Sequence, residues 1–407
     1  METGEPKVSS SKSSQSSGPY HVPSVPFRLG AGHAFPDMLP DVSLEAATAA
    51  HDFRTEVLQY GPLLGLPELR DEIVRFIAQD GVHAERDNII VLTGAKQALD
   101  LTLRTFVGSD DSVIVTRPCY ATAVHIIGNQ GASIVEIDMD GGGMKVDELQ
   151  KTLEEMRSQG QRLPKLLYDV PDFHNPTGIT LAGDRRRKLV DLANKFDFYI
   201  VEDDPYRRIR FDGTPVPPIK SFDKHGRVIA AGTFSKIFGP GIRVGWANAD
   251  PDIVNKLALR KTDGGTCPFT QRIVLQCLTS GRIDEHLRKL IPVMKSHRDA
   301  MLHAVQKYLP DAVFRQPEGG YYMWFKLPAR IDGNELMRMA EPEGVGIFSG
   351  RGYFASDPPS NFIRLCYATS TESQIEEGVS RLGKVFRRMH NRVDSGTYEP
   401  TQNPHFD

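Results

Sequence analysis

The chain has 407 residues, more than one hydrophobic core usually serves, so two domains are expected. Its 40% hydrophobic and 25% charged content is that of a globular protein, and a net charge of -3 argues against nucleic acid or an acidic membrane surface as partner. Four scattered cysteines, Cys119, Cys267, Cys277 and Cys366, show neither zinc-ligand nor disulfide spacing, so no metal is expected and reduced thiols in the cytoplasm fit best. No apolar run approaches the ~20 residues that span a bilayer, and the opening residues lack the apolar core of a signal peptide.

In chain order, residues 1–26 read as a Ser-rich tail too polar to pack, and 27–50 as an arm joining the smaller domain. Between 51 and 290, short apolar runs alternate with amphipathic ones. Strands are expected at Asn88–Thr93, Ser112–Thr116, Ser133–Ile137, Lys165–Val170, Phe198–Glu202, Val228–Ala231 and Val244–Ala247. Most are apolar on both faces, as strands covered by helices on both sides are. Helical periodicity falls at Ala95–Thr105, Val146–Gln159, Asp184–Phe196 and Asp250–Arg260. This alternation predicts an α/β large domain: a mostly parallel seven-stranded sheet flanked by helices, with functional residues at strand ends. From 291 to 390 the pattern becomes that of a smaller α+β domain. It has a helix at Val293–Tyr308, strand signals in Gly319–Phe325 and Ile363–Tyr367, and a last helix near Glu372–Met389. Residues 391–407 read as a polar tail, and no internal repeat is present.

Gly30-Ala31-Gly32-His33-Ala34-Phe35 starts like a dinucleotide loop, but Phe35 replaces the last glycine and no strand precedes it. P-loop, HExxH and GxSxG patterns are absent. The informative segment runs from Gly232 to Trp246. Lys236 follows an apolar strand directly, Thr233 and Ser235 stand just before it, and a Pro-Gly turn leads to Arg243. A lysine in a partly desolvated, electropositive site can be neutral enough to attack an aldehyde, and hydroxyls with an arginine suit a phosphate monoester. Val201-Glu202-Asp203-Asp204-Pro205-Tyr206 puts carboxylates at the end of another buried strand, where an unpaired one is costly and a protonated pyridine nitrogen is a suitable partner. His174-Asn175-Pro176-Thr177-Gly178 puts an amide on a tight turn after a third strand.

With Tyr60-Gly61, Gly65, Leu69-Arg70, Thr93-Gly94-Ala95-Lys96-Gln97-Ala98-Leu99, Pro118-Cys119-Tyr120 and Arg364, these segments resemble the class I/II aminotransferases of the aspartate aminotransferase superfamily, pyridoxal-phosphate fold type I. The resemblance runs from about Phe27 to Met389 with the motifs in family order. Its nearest flavour is the aminoadipate, kynurenine and aromatic aminotransferase branch. It implies pyridoxal 5'-phosphate bound to Lys236 as a Schiff base, with Asp203 on the ring nitrogen, Tyr206 and Asn175 on the phenolate oxygen, and Tyr120 on the ring face. It further implies a phosphate cradle of Ala95, Lys96, Thr233, Ser235 and Arg243. Tyr60 would reach that phosphate from the other subunit of a homodimer. Arg364 would clamp the substrate carboxylate, with Asn175 and Gly32 beside it; Lys236, Asp203 and Tyr120 would carry the catalysis.

The implied reaction moves an amino group between an L-amino acid and a 2-oxo acid. Elimination, replacement, oxidation or cyclisation on the same cofactor is the alternative, and a non-enzymatic sensor is disfavoured because the Ser-rich start offers no DNA-binding domain. Departures from the family pattern sit at Arg117, at Lys96, in the Gly30–Pro40 stretch and in the glycine-rich Gly264-Gly265-Thr266-Cys267-Pro268-Phe269-Thr270 loop. Arg117, Arg351 and Tyr321 are candidate contacts for the substrate side chain.

Overall fold

The structure, a computed structural model, describes residues 25–394. The Ser-rich stretch through residue 24 and the polar tail from 395 lie outside the described residues. Among the described residues fourteen strands follow in chain order. They are β1 (Phe27–Arg28), β2 (Ile89–Leu92), β3 (Ser112–Arg117), β4 (Ser133–Asp140), β5 (Gly143–Met144), β6 (Leu166–Asp169), β7 (Tyr199–Asp204), β8 (Val228–Thr233) and β9 (Gly245–Asn248). The C-terminal region adds β10 (Val313–Phe314), β11 (Tyr322–Lys326), β12 (Val345–Gly346), β13 (Phe348–Ser349) and β14 (Phe362–Cys366).

The large sheet has the order β2-β9-β8-β7-β6-β3-β4-β5. Its centre, the run β4-β3-β6-β7-β8, is parallel, while β9 runs antiparallel to both β8 and β2. Seven of its eight strands are the expected ones; the eighth, β5, hairpins back on β4. That strand escaped a reading based on apolar runs because it is two residues long, one of them glycine. Ile89, Ile90, Val91 and Leu92 are fully buried, as are Val113, Ile114 and Val115. Each such side chain contributes about 1.5–3 kcal/mol on burial, which explains why these runs form strands inside the molecule. Parallel strands joined by crossover helices leave their C-terminal ends on one edge, and that edge carries Asp169, Asp204 and Thr233.

A second, antiparallel sheet has the order β10-β11-β14-β13 and packs with the helices Arg282–Tyr308 and Glu372–Asp394 around its own apolar cluster. The first of these helices begins eleven residues earlier than the sequence pattern indicated, at Arg282 rather than Val293, because it carries Pro292 in its interior. A proline normally ends a helical pattern; here the surrounding packing overrides it. The last helix likewise runs to Asp394, so the tail expected from 391 starts as helix. Parallel pairing of β1 with β12 fastens the N-terminal segment to this region. Among the described residues no helix is long and apolar enough to cross a membrane, and no His/Cys/Asp/Glu group could hold a metal.

Candidate active site

Asp203 lies near the end of β7 and is only 8% exposed. Burial lifts its carboxyl to about 6 against the hydrogen bond it accepts from Tyr168 and the nearby charges of Lys96 and Lys236. Its Oδ1 is buried with no hydrogen-bond partner. Such an oxygen is costly unless a ligand meets it.

Just past β8, Lys236 keeps partial exposure, and its Nζ donates to the Gly32 carbonyl at 2.6 Å. Loss of hydration brings the amine down to about 8, with Lys96, Arg364 and Arg243 pushing the same way. The Tyr321 hydroxyl donates to the Lys236 carbonyl at 2.7 Å. Tyr321, considered above as a substrate contact, is therefore a fully buried brace for the lysine backbone.

Beside them lies a group of donors that could hold an anion. The helix Ala95–Phe106 starts after Gly94 with no side-chain cap, leaving first-turn amides available. Gly94 has φ +124°, and a Cβ there would sit 3.2 Å from Arg243 Nη2, so glycine lets the guanidinium approach the helix start. Arg243 itself is left-handed, with φ 52°, a conformation costing a non-glycine residue about 1–2 kcal/mol. Its Nη1 reaches Ser235 Oγ at 3.5 Å, and Thr233 Oγ1 donates to the same oxygen at 2.9 Å.

The third strand-end turn is pinned from behind. Asp172 and Arg186, both fully buried, form a two-pronged ion pair at 3.0 Å. His174 bridges Thr116 Oγ1 and Thr177 Oγ1, each at 3.0 Å, and burial keeps it neutral by lowering it to about 3. Asn175 is thus held with its Oδ1 accepting from Arg364 Nη1 at 2.9 Å. The same arginine donates through Nη2 to the Gly30 carbonyl at 2.7 Å. Its guanidinium lies 4.0 Å from the Tyr322 ring centre, 5.1 Å from Phe348 and 5.2 Å from Tyr353. Tyr206, buried, reaches the Tyr322 hydroxyl at 3.4 Å.

The structure thus gathers Lys236, Asp203, Asn175, Tyr206, Thr233, Ser235, Arg243, Ala95, Gly32 and Arg364 in one neighbourhood. Tyr120 caps the helix Ala121–Asn129 there, with Lys96 Nζ 5.9 Å from its ring centre. Tyr60 does not join them within one chain: the residue is 85% exposed, beside Gly264. Arg117 is committed elsewhere. It pairs with Glu136 at 2.6 Å and donates to the carbonyls of Ser356 and Asp357. Arg351 remains near this loop as the first residue of a short 3-10 turn. Tyr322 and Tyr353 were missed by motif reading, since a tyrosine in a strand or loop carries no spacing signal that separates it from core.

The family model "Aminotransferase class I and II" matches residues 27–382. Aromatic-amino-acid aminotransferase 1 of Thermococcus litoralis is 37% identical over 336 residues, covering 82% of this chain and 80% of that protein. The 2-aminoadipate transaminase of Thermus thermophilus is 32% identical over 369 residues, covering 89% of this chain and 90% of the relative. Among solved structures, the kynurenine aminotransferase of Pyrococcus horikoshii, crystallised in complex with PMP, KYN as substrates and KYA as products, has a TM-score of 0.85 at 35% identity, with 88% of this chain and 90% of that one covered. The chain belongs to the class I and II aminotransferases, enzymes that move an amino group between an amino acid and a 2-oxo acid.

Proposed function

We propose that this aminotransferase works with pyridoxal 5'-phosphate, held covalently by Lys236. The observation that carries this reading is a buried, unpartnered Asp203 oxygen near a lysine amine brought down to about 8. When bound, the cofactor supplies an electron-accepting ring that draws off the charge left as an amino acid loses its Cα proton. Asp203 Oδ1 would pair with the ring nitrogen and keep it protonated. Tyr206 and Asn175 would hold the phenolate oxygen, and Tyr120 would lie against the ring face. The amides of Ala95 and Lys96, with Thr233, Ser235 and Arg243, would hold the phosphate at the helix start. Arg364 clamps the α-carboxylate beside Gly32 and so aligns the Cα–H bond, while Lys236 Nζ moves its proton.

The amino donor in this reading is of the aromatic or 2-aminoadipate type, which the named relatives and the aromatic rings around Arg364 support. The working form is a homodimer, with Tyr60 serving the partner's phosphate site; the exposed Leu44, Leu58 and Tyr60 support such a face. A division near residue 290 into a large and a small domain, and a cytoplasmic location, complete the proposal. Absorbance of the reconstituted protein tests it. The wild-type chain should acquire a visible band that Lys236→Ala lacks; a colourless wild type, or a variant with the wild-type spectrum, would overturn the assignment.

A further inference from the structure

Tyr168 belongs to no motif in the sequence. It stands on β6, where it pairs with Val201 of β7, so Asp203 is its diagonal neighbour on the same face, two residues further along. At that spacing a long aromatic side chain can reach across. The Tyr168 hydroxyl donates to Asp203 Oδ2 at 2.6 Å, and both residues are buried. One carboxylate oxygen is thereby occupied while the other, Oδ1, is left without a partner.

We propose that Tyr168 is a positioning residue that locks the Asp203 carboxylate so that Oδ1 alone is presented to the nitrogen of the bound ring. The inference rests on the reading of Asp203 given above. Two physical effects support it. Without this hydrogen bond the buried carboxylate would be free to swing between rotamers, whereas a fixed one meets its partner without that loss of freedom. A hydrogen bond to the charged form also favours ionisation, working against the burial that lifts Asp203 to about 6. Tyr168 is suited to this because burial pushes its own hydroxyl well above the usual tyrosine range, so it remains a donor. The other charged or titratable groups that Asp203 faces are Asp204 on its own strand, Lys96 on the helix after β2 and Lys236 after β8; the buried Cys119 thiol also senses its charge.

The test is equilibrium binding of pyridoxal 5'-phosphate to the apoprotein across pH, for wild type, Tyr168→Phe, Asp203→Asn and the double variant. Tyr168→Phe removes one oxygen and keeps the ring. Affinity should fall on the acid side as Asp203 takes a proton, and in Tyr168→Phe that fall should move alkaline by about one to two pH units, the size of a lost hydrogen bond to a charge. In the Asp203→Asn background the Phe substitution should add nothing. A Tyr168→Phe protein with the wild-type acid limb, or one whose loss is equal in both backgrounds, would overturn the inference and leave the cofactor assignment standing. A wild-type chain that binds no pyridoxal 5'-phosphate would overturn both.

Discussion

Asn175, Asp203, Lys236 and Arg243 come from one part of the chain, each at or just past the end of a strand in the large sheet or in the turn that follows. Arg364, Tyr322 and Tyr353 come from the C-terminal region, where Arg364 donates to the Gly30 carbonyl, more than three hundred residues away in sequence, and Tyr322 packs against Gly32. The first group is built from local geometry. A strand stops, a turn follows, and the residue at that point is exposed to the same edge as its neighbours. The second group exists only once distant segments have packed, and even its arginine is engaged by a backbone carbonyl. The part proposed to hold the cofactor is therefore a product of topology, and the part proposed to hold the substrate a product of long-range contact.

The largest expected effect breaks the first group alone. Lys236→Ala should lower kcat by more than about 10³-fold, measured as 2-oxo acid released, since a proton carrier is lost with the covalent anchor. A variant impaired only in KM would show that the lysine merely binds. Next, Arg364→Lys should cut kcat/KM about 10- to 100-fold for all amino acids while affinity for pyridoxal 5'-phosphate stays at the wild-type value, because a two-pronged contact becomes a single one. Equal loss of cofactor affinity would erase the distinction between the groups.

A third effect concerns pH. The Lys236 amine, held down at about 8 by burial, is protonated below that value and cannot attack an aldehyde. The rate of cofactor capture by the apoprotein should therefore rise about tenfold per pH unit up to about 8 and level off above it. Stopped-flow absorbance would reveal a midpoint near the ordinary 10.5 if the site failed to perturb the amine.

The smallest effect sharpens the boundary between the groups. Glu136 accepts from the Arg117 guanidinium and from the backbone amides of Ala355 and Ser356, fastening the loop after Tyr353 to β4. Glu136→Gln should raise KM for the amino donor about three- to tenfold, the scale of one lost charge-assisted hydrogen bond, with cofactor affinity unchanged. Steady-state kinetics showing no change in KM would mean that the loop holds its place without this fastening.

Legibility in the sequence follows the same division. The central strands were readable because each is a short apolar run between turns, and Lys236, Asp203 and Asn175 because strand ends on a parallel sheet converge. The two-residue β5 has no run to detect, and the helix through Pro292 defies a local rule for the sake of packing. Tyr168, Tyr322 and Tyr353 were invisible, since what distinguishes them is which atom they touch. Arg117 was visible as an oddity but not interpretable, because its partners Glu136 and Ser356 lie on separate elements. Arg70 of the early motif likewise acts in the framework. It donates to the carbonyls of Ile89 and Arg86 and ties its helix to β2.

A single-turnover experiment bears most directly on the account. Protein loaded with pyridoxal 5'-phosphate, mixed with an aromatic amino acid or 2-aminoadipate and no 2-oxo acid, should release one 2-oxo acid per site and then stop until an acceptor is added. Release of ammonia in place of that stoichiometric product, or no product from any amino acid while the visible band persists, would contradict it.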